Sequence, residues 1–298
     1  MEATTKSRFS TFSILNYTVF ALFTFACIFP FYYLFINTIS NNDLSSRGLV
    51  LFYPQGLHLD NYTQAFKLPG LGRATFISFS RTIIGTALTV TASAFLGYVF
   101  TKNEMWGRKF WYRFLMITMY FNAGLIPWYI TMLNLGLTNN FLAYIIPSIV
   151  SPFFIILVKT FVESTPVSLQ ESAQIDGAGY LTIFWKIVVP LIMPILATIA
   201  IFAAVSQWNS FTDTLFLVSN SKLFSLQFIL YRYMNEATSL AQLMKSSTGA
   251  MNLNLSNIQT PTSIRTTVSM IVVIPILMVY PFFQRFFVKG IMLGAVKG

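Results

Sequence analysis

Ser168, Glu171, Asp176 and Gly177 stand in one short segment between two long apolar runs. Ser168 and Glu171 have the spacing of a capping box, in which the hydroxyl satisfies the start of a helix and the carboxylate reaches back. That spacing predicts a short helix over 169–175. Asp176-Gly177 supplies turn chemistry and a left-handed position that only glycine fills cheaply. A second short helix is predicted over 180–186, running into an apolar stretch that holds Pro190 and Pro194. Two short helices about a glycine corner can lie across a membrane face instead of entering it. The Glu171 carboxylate can complete its own cap or meet a basic group on a partner, and the local sequence leaves both open.

Elsewhere, groups able to do chemistry are sparse. His58 has no second His or Cys near it, and Cys27 is the one cysteine, so neither a metal cluster nor an internal disulfide is expected. A phosphate-cradling loop needs G-x-x-x-x-G-K-[ST], and the chain has no such run. No nucleophile and base are paired in a recognisable pattern, so no catalytic residue is assigned. Polar residues at or near the ends of apolar runs remain as candidates for a substrate pathway: Asn122, Gln207, Trp208 and Asn209. An indole can stack on a sugar ring while amides bond hydroxyls. Equally, Trp208 can be an interfacial anchor and Asn122 an interhelical hydrogen-bonding group.

The elements that must position these residues are membrane helices. Of 298 residues, 55% are hydrophobic and 9% charged, against roughly 25% charged in a soluble domain. Lipid must cover much of such a surface. About 20 apolar residues cross a bilayer core, and six segments qualify: 14–39, 76–100, 114–133, 141–162, 187–207 and 268–287. The first is too long for a signal-peptide core of roughly 7–15 residues and reads as an uncleaved span. Arg81 lies near one end of the second span, where it is expected to snorkel to the interface; a charge lining a path is the alternative. The expected architecture is one all-α transmembrane domain, 1–298, with an inner loop at 163–186 and a long outer one at 208–267. Within the outer loop, 223–234 is apolar but too short to span and is expected to pack on the outside of the bundle. The stretch 239–262 is rich in Ser, Thr and Asn and reads as a loop.

Orientation follows from the cations. Lys6, Arg8, Lys102, Arg108, Lys109, Arg113, Lys186, Arg285, Lys289 and Lys297 crowd the short segments on one side. Arg47, Lys67, Arg73, Lys222, Arg232, Lys245 and Arg265 are spread over longer ones. The denser side is expected to be cytoplasmic, with both termini there. This distribution also turns the net charge of +10 away from nucleic acid and toward membrane lipid.

The segment resembles the signature loop of inner-membrane permeases in binding-protein-dependent ABC importers. That family has Glu-Ala-Ala, then a Gly, then an apolar helix with Leu-Pro. Glu171, Ser172, Ala173, Gly177 and Pro190 stand in those places, with Ser172 for Ala and Val189 for Leu. Asp176-Gly177-Ala178 and Pro194 resemble the carbohydrate-uptake branch, close to the smaller permease of maltose importers, and the tail 284–298 is similar to the C-terminus of that branch; by overall similarity the chain resembles permeases for oligosaccharides of acidic polysaccharides such as alginate. The resemblance implies the six-helix fold of type I importers in a bacterial inner membrane. It implies that Glu171, Ser172, Ala173, Asp176, Gly177 and Ala178 form a coupling helix docked on a cytoplasmic ATPase. Two ATPase copies would carry the ATP and magnesium, with no cofactor in this chain. A homologous second permease and an external solute-binding protein complete the implied assembly. An ion-gradient transporter is the competing reading; it favours intramembrane Asp or Glu, and the predicted span interiors hold none.

Overall fold

The computed structural model describes residues 11–235 and 260–295. The chain begins with α1 (Thr11–Thr38), then the short α2 (Asn42–Ser46) and α3 (Asp60–Phe66). Next come α4 (Leu71–Val99), α5 (Arg108–Tyr120) and α6 (Leu125–Asn134). A tight 3-10 stretch over 141–148 leads into α7 (Pro152–Glu163), followed by α8 (Ser168–Ile175) and α9 (Tyr180–Ile183). After α10 (Val189–Leu191) come α11 (Met193–Asn209), α12 (Thr212–Leu217), α13 (226–235) and α14 (Pro261–Ala295). Among the described residues there is no strand.

Two compact units emerge, Met1–Leu68 with Tyr233–Ile271, and Pro69–Arg232 with Val272–Gly298. In the first, α1 is apolar on every face and leaves nearly all of it uncovered; only Ile36, Asn37 and Thr38 at its end are buried. A helix apolar all round belongs in lipid or against other helices. Its end is held by hydrogen bonds among polar side chains. Ser45 donates to Asn37 Oδ1 at 2.8 Å, Asn61 donates to Thr38 O and Asn42 Oδ1 at 2.9 Å each, and Thr38 meets the Tyr62 hydroxyl at 2.8 Å. Burial pushes the Tyr62 phenol above its ordinary pKa, and the bond to Thr38 pulls the other way.

In the second unit α4 is the central post, with α7 and α11 packed along it. Two glycines allow the close approach. A Cβ at Gly97 would lie 2.6 Å from Val158 Cγ1, and one at Gly85 would lie 2.6 Å from Gln207 Nε2. The core here joins Ala94 and Tyr98 of α4, Val158 and Val162 of α7, and Ile183, Phe184, Val188, Ile192, Leu196 and Ile199.

Only α1 and α4 are unbroken helices long and apolar enough to cross a membrane among the described residues; three further pairs qualify if each bent pair counts as one span. The expected span 114–133 is broken by 119° between α5 and α6. Gly124 takes φ +87°, and the Asn122 side chain accepts its N–H at 2.8 Å. The 187–207 stretch bends by 80°. Pro190 and Pro194 each lack the N–H that an unbroken helix would use and crowd the carbonyl four residues back. The chain answers with a π-helical turn over Phe184–Val188 and a break at Ile192. Pro152 starts α7 after a 44° bend. Of α14, Thr262–Met278 is a shorter apolar helix. The segment 223–234 is not merely laid on the outside: Leu226, Phe228, Ile229 and Leu230 are buried, and Leu226 N–H donates to Ser78 Oγ at 2.8 Å. The polar loop expected over 239–262 lies outside the described residues up to 259.

Candidate functional site

The glycine corner forms as a complete helix C-cap. Gly177 has φ +80°. Its N–H bonds Gln174 O at 3.0 Å, and Ala178 N–H bonds Ala173 O at 2.9 Å. This is the paired pattern of a Schellman motif, which ties off the last carbonyls of α8. Asp176 is the cap residue. The start of α8 differs from expectation. Val167 already has helical backbone angles, φ −65° and ψ −31°, directly after Pro166, and no side chain caps the helix. Proline's fixed φ starts the turn early, which places Ser168 inside the helix, so the expected capping box does not form. Glu171 donates its backbone N–H to Val167 O at 3.1 Å, and its carboxylate is left exposed.

The six signature residues divide between two faces. Ala173 and Ala178 pack on the core of the second unit, while Glu171, Ser172, Asp176 and Gly177 are exposed. Beside them Leu169, Ile175 and Leu181 also stand free, Ile175 at 87% exposure. The opposite side is anchored. Ile183 and Phe184 are buried, with the Phe184 ring 5.3 Å from that of Tyr98. Lys102, on the link after α4, donates to Gln170 Oε1 at 2.6 Å and lies 4.5 Å from the Tyr98 ring and 5.7 Å from the Tyr180 ring. Burial pushes its amine below the usual lysine value, and Glu104 partly offsets this. No local pattern points to Lys102 or Gln170, because their contact spans 68 positions.

The proposed pathway residues do not gather in one place. Asn122 and Asn209 are exposed, the first as a turn cap. Trp208 is buried, donates to Val272 O at 3.1 Å and sits edge-on to Phe79 at 5.1 Å. Its indole is a packing element with its N–H satisfied. Gln207 alone enters a polar cluster, and that cluster overturns the reading of Arg81. Arg81 does not snorkel: it is 1% exposed and pairs with Asp213. Its Nε and Nη2 donate to Gln207 Oε1 at 3.1 and 3.0 Å, Nη1 donates to Ser210 O at 3.2 Å, and its guanidinium lies 4.4 Å from the Tyr144 ring. Gln207 in turn donates to Ser148 Oγ at 2.6 Å. A buried guanidinium is tolerable only when paired and bonded in this way. The group borders a cavity of 190 Å³. Among the described residues no cluster of His, Cys, Asp or Glu could hold a metal ion.

No family model matches the chain. It is 33% identical over 272 residues to Protein LplC of Bacillus subtilis strain 168, covering 91% of this chain and 90% of that protein. It is 32% identical over 289 residues to the polygalacturonan/rhamnogalacturonan transport system permease protein YtcP of the same strain, covering 96% and 98%. Among solved structures, a chain of a bacterial ABC transporter involved in the import of the acidic polysaccharide alginate superposes with a TM-score of 0.81 at 26% identity. The match covers 96% of this chain and all of that one.

Proposed function

The chain belongs to the permease family of carbohydrate ABC importers, and we propose that it forms half of a pore for acidic oligosaccharides, of the alginate or pectin type, driven by a separate ATPase. The observation that carries the coupling role is the two-sided α8–α9 loop. One side is pinned to the transmembrane core through Ala173, Ala178 and Phe184; the other presents Glu171, Ser172, Asp176 and Ile175. A rigid base with a free carboxylate and an apolar fringe is what a lever needs to pass motion from an ATPase to the membrane helices. Glu171 meets a basic group in a cleft of that ATPase. Hydrolysis, with its ATP and magnesium, belongs to the partner.

In this reading the chain crosses a bacterial inner membrane six times, with both termini and the α8–α9 loop in the cytoplasm, as the cation distribution supports. The bent pairs serve as single spans, because broken helices are tolerated where they are buried in protein or line a cavity. A homologous second permease, two ATPase copies and an external binding protein complete the assembly. Alternating access moves the sugar from one side to the other. The test is purification of the assembled complex in lipid, with measurement of ATP hydrolysis and uptake against a panel of acidic and neutral oligosaccharides. Acidic oligosaccharides that stimulate both, through a cognate binding protein, support the reading. Stimulation by neutral ones alone removes the substrate class, and no dependence on the ATPase removes the mechanism.

A further inference from the structure

The cavity beside Arg81 is not explained by the coupling loop or by stability. It lies within the second unit and is walled by Arg81, Trp128, Tyr144, Ser148, Gln207 and Asp213. A buried ion pair stabilises a fold little beyond what well-packed apolar groups would, so folding alone does not call for one on a cavity wall. Its 190 Å³ is well above the ~10–15 Å³ of probe-occupied volume that one water needs, so it admits a group larger than a single water. Two aromatic side chains, a planar guanidinium, a planar amide and a carboxylate are the groups that bind vicinal hydroxyls and stack on the apolar face of a pyranose.

We propose that this cavity is a saccharide subsite that reads ring hydroxyls, and that Asp213 makes it indifferent to the substrate's carboxylates by cancelling the charge of Arg81. This rests on the reading of the chain as an oligosaccharide permease and deepens it. The bonds to Gln207, Ser210 and Asp213 use four of the guanidinium's five N–H groups. One N–H on Nη1 is left for a ligand oxygen. The Asp213 carboxylate takes Arg81 on Oδ2 and the Ser210 hydroxyl on Oδ1 at 2.6 Å, which leaves lone pairs on a partly exposed group. Donor and acceptor therefore sit side by side, as a diol requires. An unpaired arginine would hold a uronate strongly; a conducting site must also release what it binds. The ion pair removes that hold, because the charge of Asp213 offsets the attraction of Arg81 for a sugar carboxylate.

The experiment uses the complete permease–ATPase complex in lipid nanodiscs without the external binding protein, titrated calorimetrically with trigalacturonate and with its methyl ester, which keeps the hydroxyls and loses the charges. The wild type is expected to bind the two with dissociation constants within about threefold. Ser206→Trp, on the cavity wall, is expected to weaken both at least tenfold while the ATPase still co-purifies. Asp213→Asn is expected to favour the acid over the ester at least tenfold, and Arg81→Gln with Asp213→Asn to restore parity. The double variant keeps the test alive if the single one fails to assemble, because it leaves no unpaired charge. Binding of neither probe by the wild type, or unchanged binding in Ser206→Trp, overturns the subsite. Parity retained in Asp213→Asn, or lost in the double variant, overturns the role of Asp213. Uptake with the binding protein present is scored separately, and its absence in the wild type would unseat the permease reading itself.

Discussion

Lys102 and Gln170 meet at 2.6 Å across 68 positions of sequence, and this bond ties the link after α4 to the first turn of α8. The lysine amine lies over the rings of Tyr98 and Tyr180, so the α8–α9 loop is held to α4 through this contact as well as through the apolar core beneath α9. The same unbroken α4 also carries Arg81.

Lys102→Met keeps an unbranched apolar side chain and leaves the buried Gln170 amide oxygen without its donor. An unsatisfied buried polar group costs about 1–3 kcal/mol, which corresponds to a factor of roughly 5–150 in a local opening equilibrium. The expected outcome is faster amide hydrogen exchange in α8 with little change in α11, together with ATP hydrolysis less tightly tied to uptake. Unchanged α8 exchange would show the bond to be incidental.

The lowered pKa of Lys102 has a definite sign. The folded value lies below the unfolded one near 10.5, so between the two values the unfolded chain binds more protons. The burial penalty on the ammonium is present in full at low pH and fades as pH rises through that window. In competitive acylation Lys102 should lose its proton at a lower pH in the folded protein than in the denatured chain. Identical titration of Lys102 in the folded and denatured chains would remove the claim that burial acts on it.

Much of this was readable in the chain and some was not. Gly177 was legible because a positive φ has few solutions, and the apolar runs were legible because α1 and α4 are long. The bends within 114–133, 141–162 and 187–207 were not read, although Gly124, Pro152, Pro190 and Pro194 stand at or near them, because such residues are common in membrane helices and the angle depends on what each half-helix packs against. The capping box failed because Pro166 starts the helix a residue earlier than Ser168 needs. Arg81 was misread because its partner Asp213 lies 132 positions away, and no local pattern distinguishes a snorkelling arginine from a paired one.

Gly97 and Gly85 test the packing of the central post. A Cβ at Gly97 meets Val158 Cγ1 at 2.6 Å and Ile155 O at 3.1 Å. Gly97→Val should push α7 from α4 and cost about 1–3 kcal/mol by overpacking. Lower thermal stability of the purified complex would register it. Gly85→Ala should displace the Gln207 amide, 2.6 Å from the new carbon, and loosen the bonds to Arg81. Wild-type stability in both variants would refute the close approach.

The orientation is open to a direct test. In a Cys27→Ser background, Glu104→Cys and Ser221→Cys each place one thiol at an exposed position. Ser221→Cys should react with an impermeant thiol reagent in intact spheroplasts. Glu104→Cys should react only after permeabilisation. The reverse pattern would invert the topology and move the α8–α9 loop away from any cytoplasmic ATPase.

Glu171 and Gly177 carry the coupling claim. Glu171→Ala removes an exposed carboxylate with no partner among the described residues, so it should leave the fold intact and weaken ATPase docking. Gly177→Leu forces a branched side chain into φ +80°; left-handed backbone costs a non-glycine residue roughly 1–2 kcal/mol, and the Schellman bonds to Gln174 and Ala173 should open. The two variants separate contact from geometry. Glu171→Ala should lower ATPase co-purification with α8 exchange unchanged, whereas Gly177→Leu should raise α8 exchange as well. Pairing Glu171→Ala with substitutions of basic residues in the ATPase cleft should reveal one pair whose losses are not additive, since contacting residues couple by about 0.5–3 kcal/mol. Full uptake by Glu171→Ala at normal expression would show that the carboxylate is not the contact, and additive losses at every cleft position would place the docking surface elsewhere on the chain.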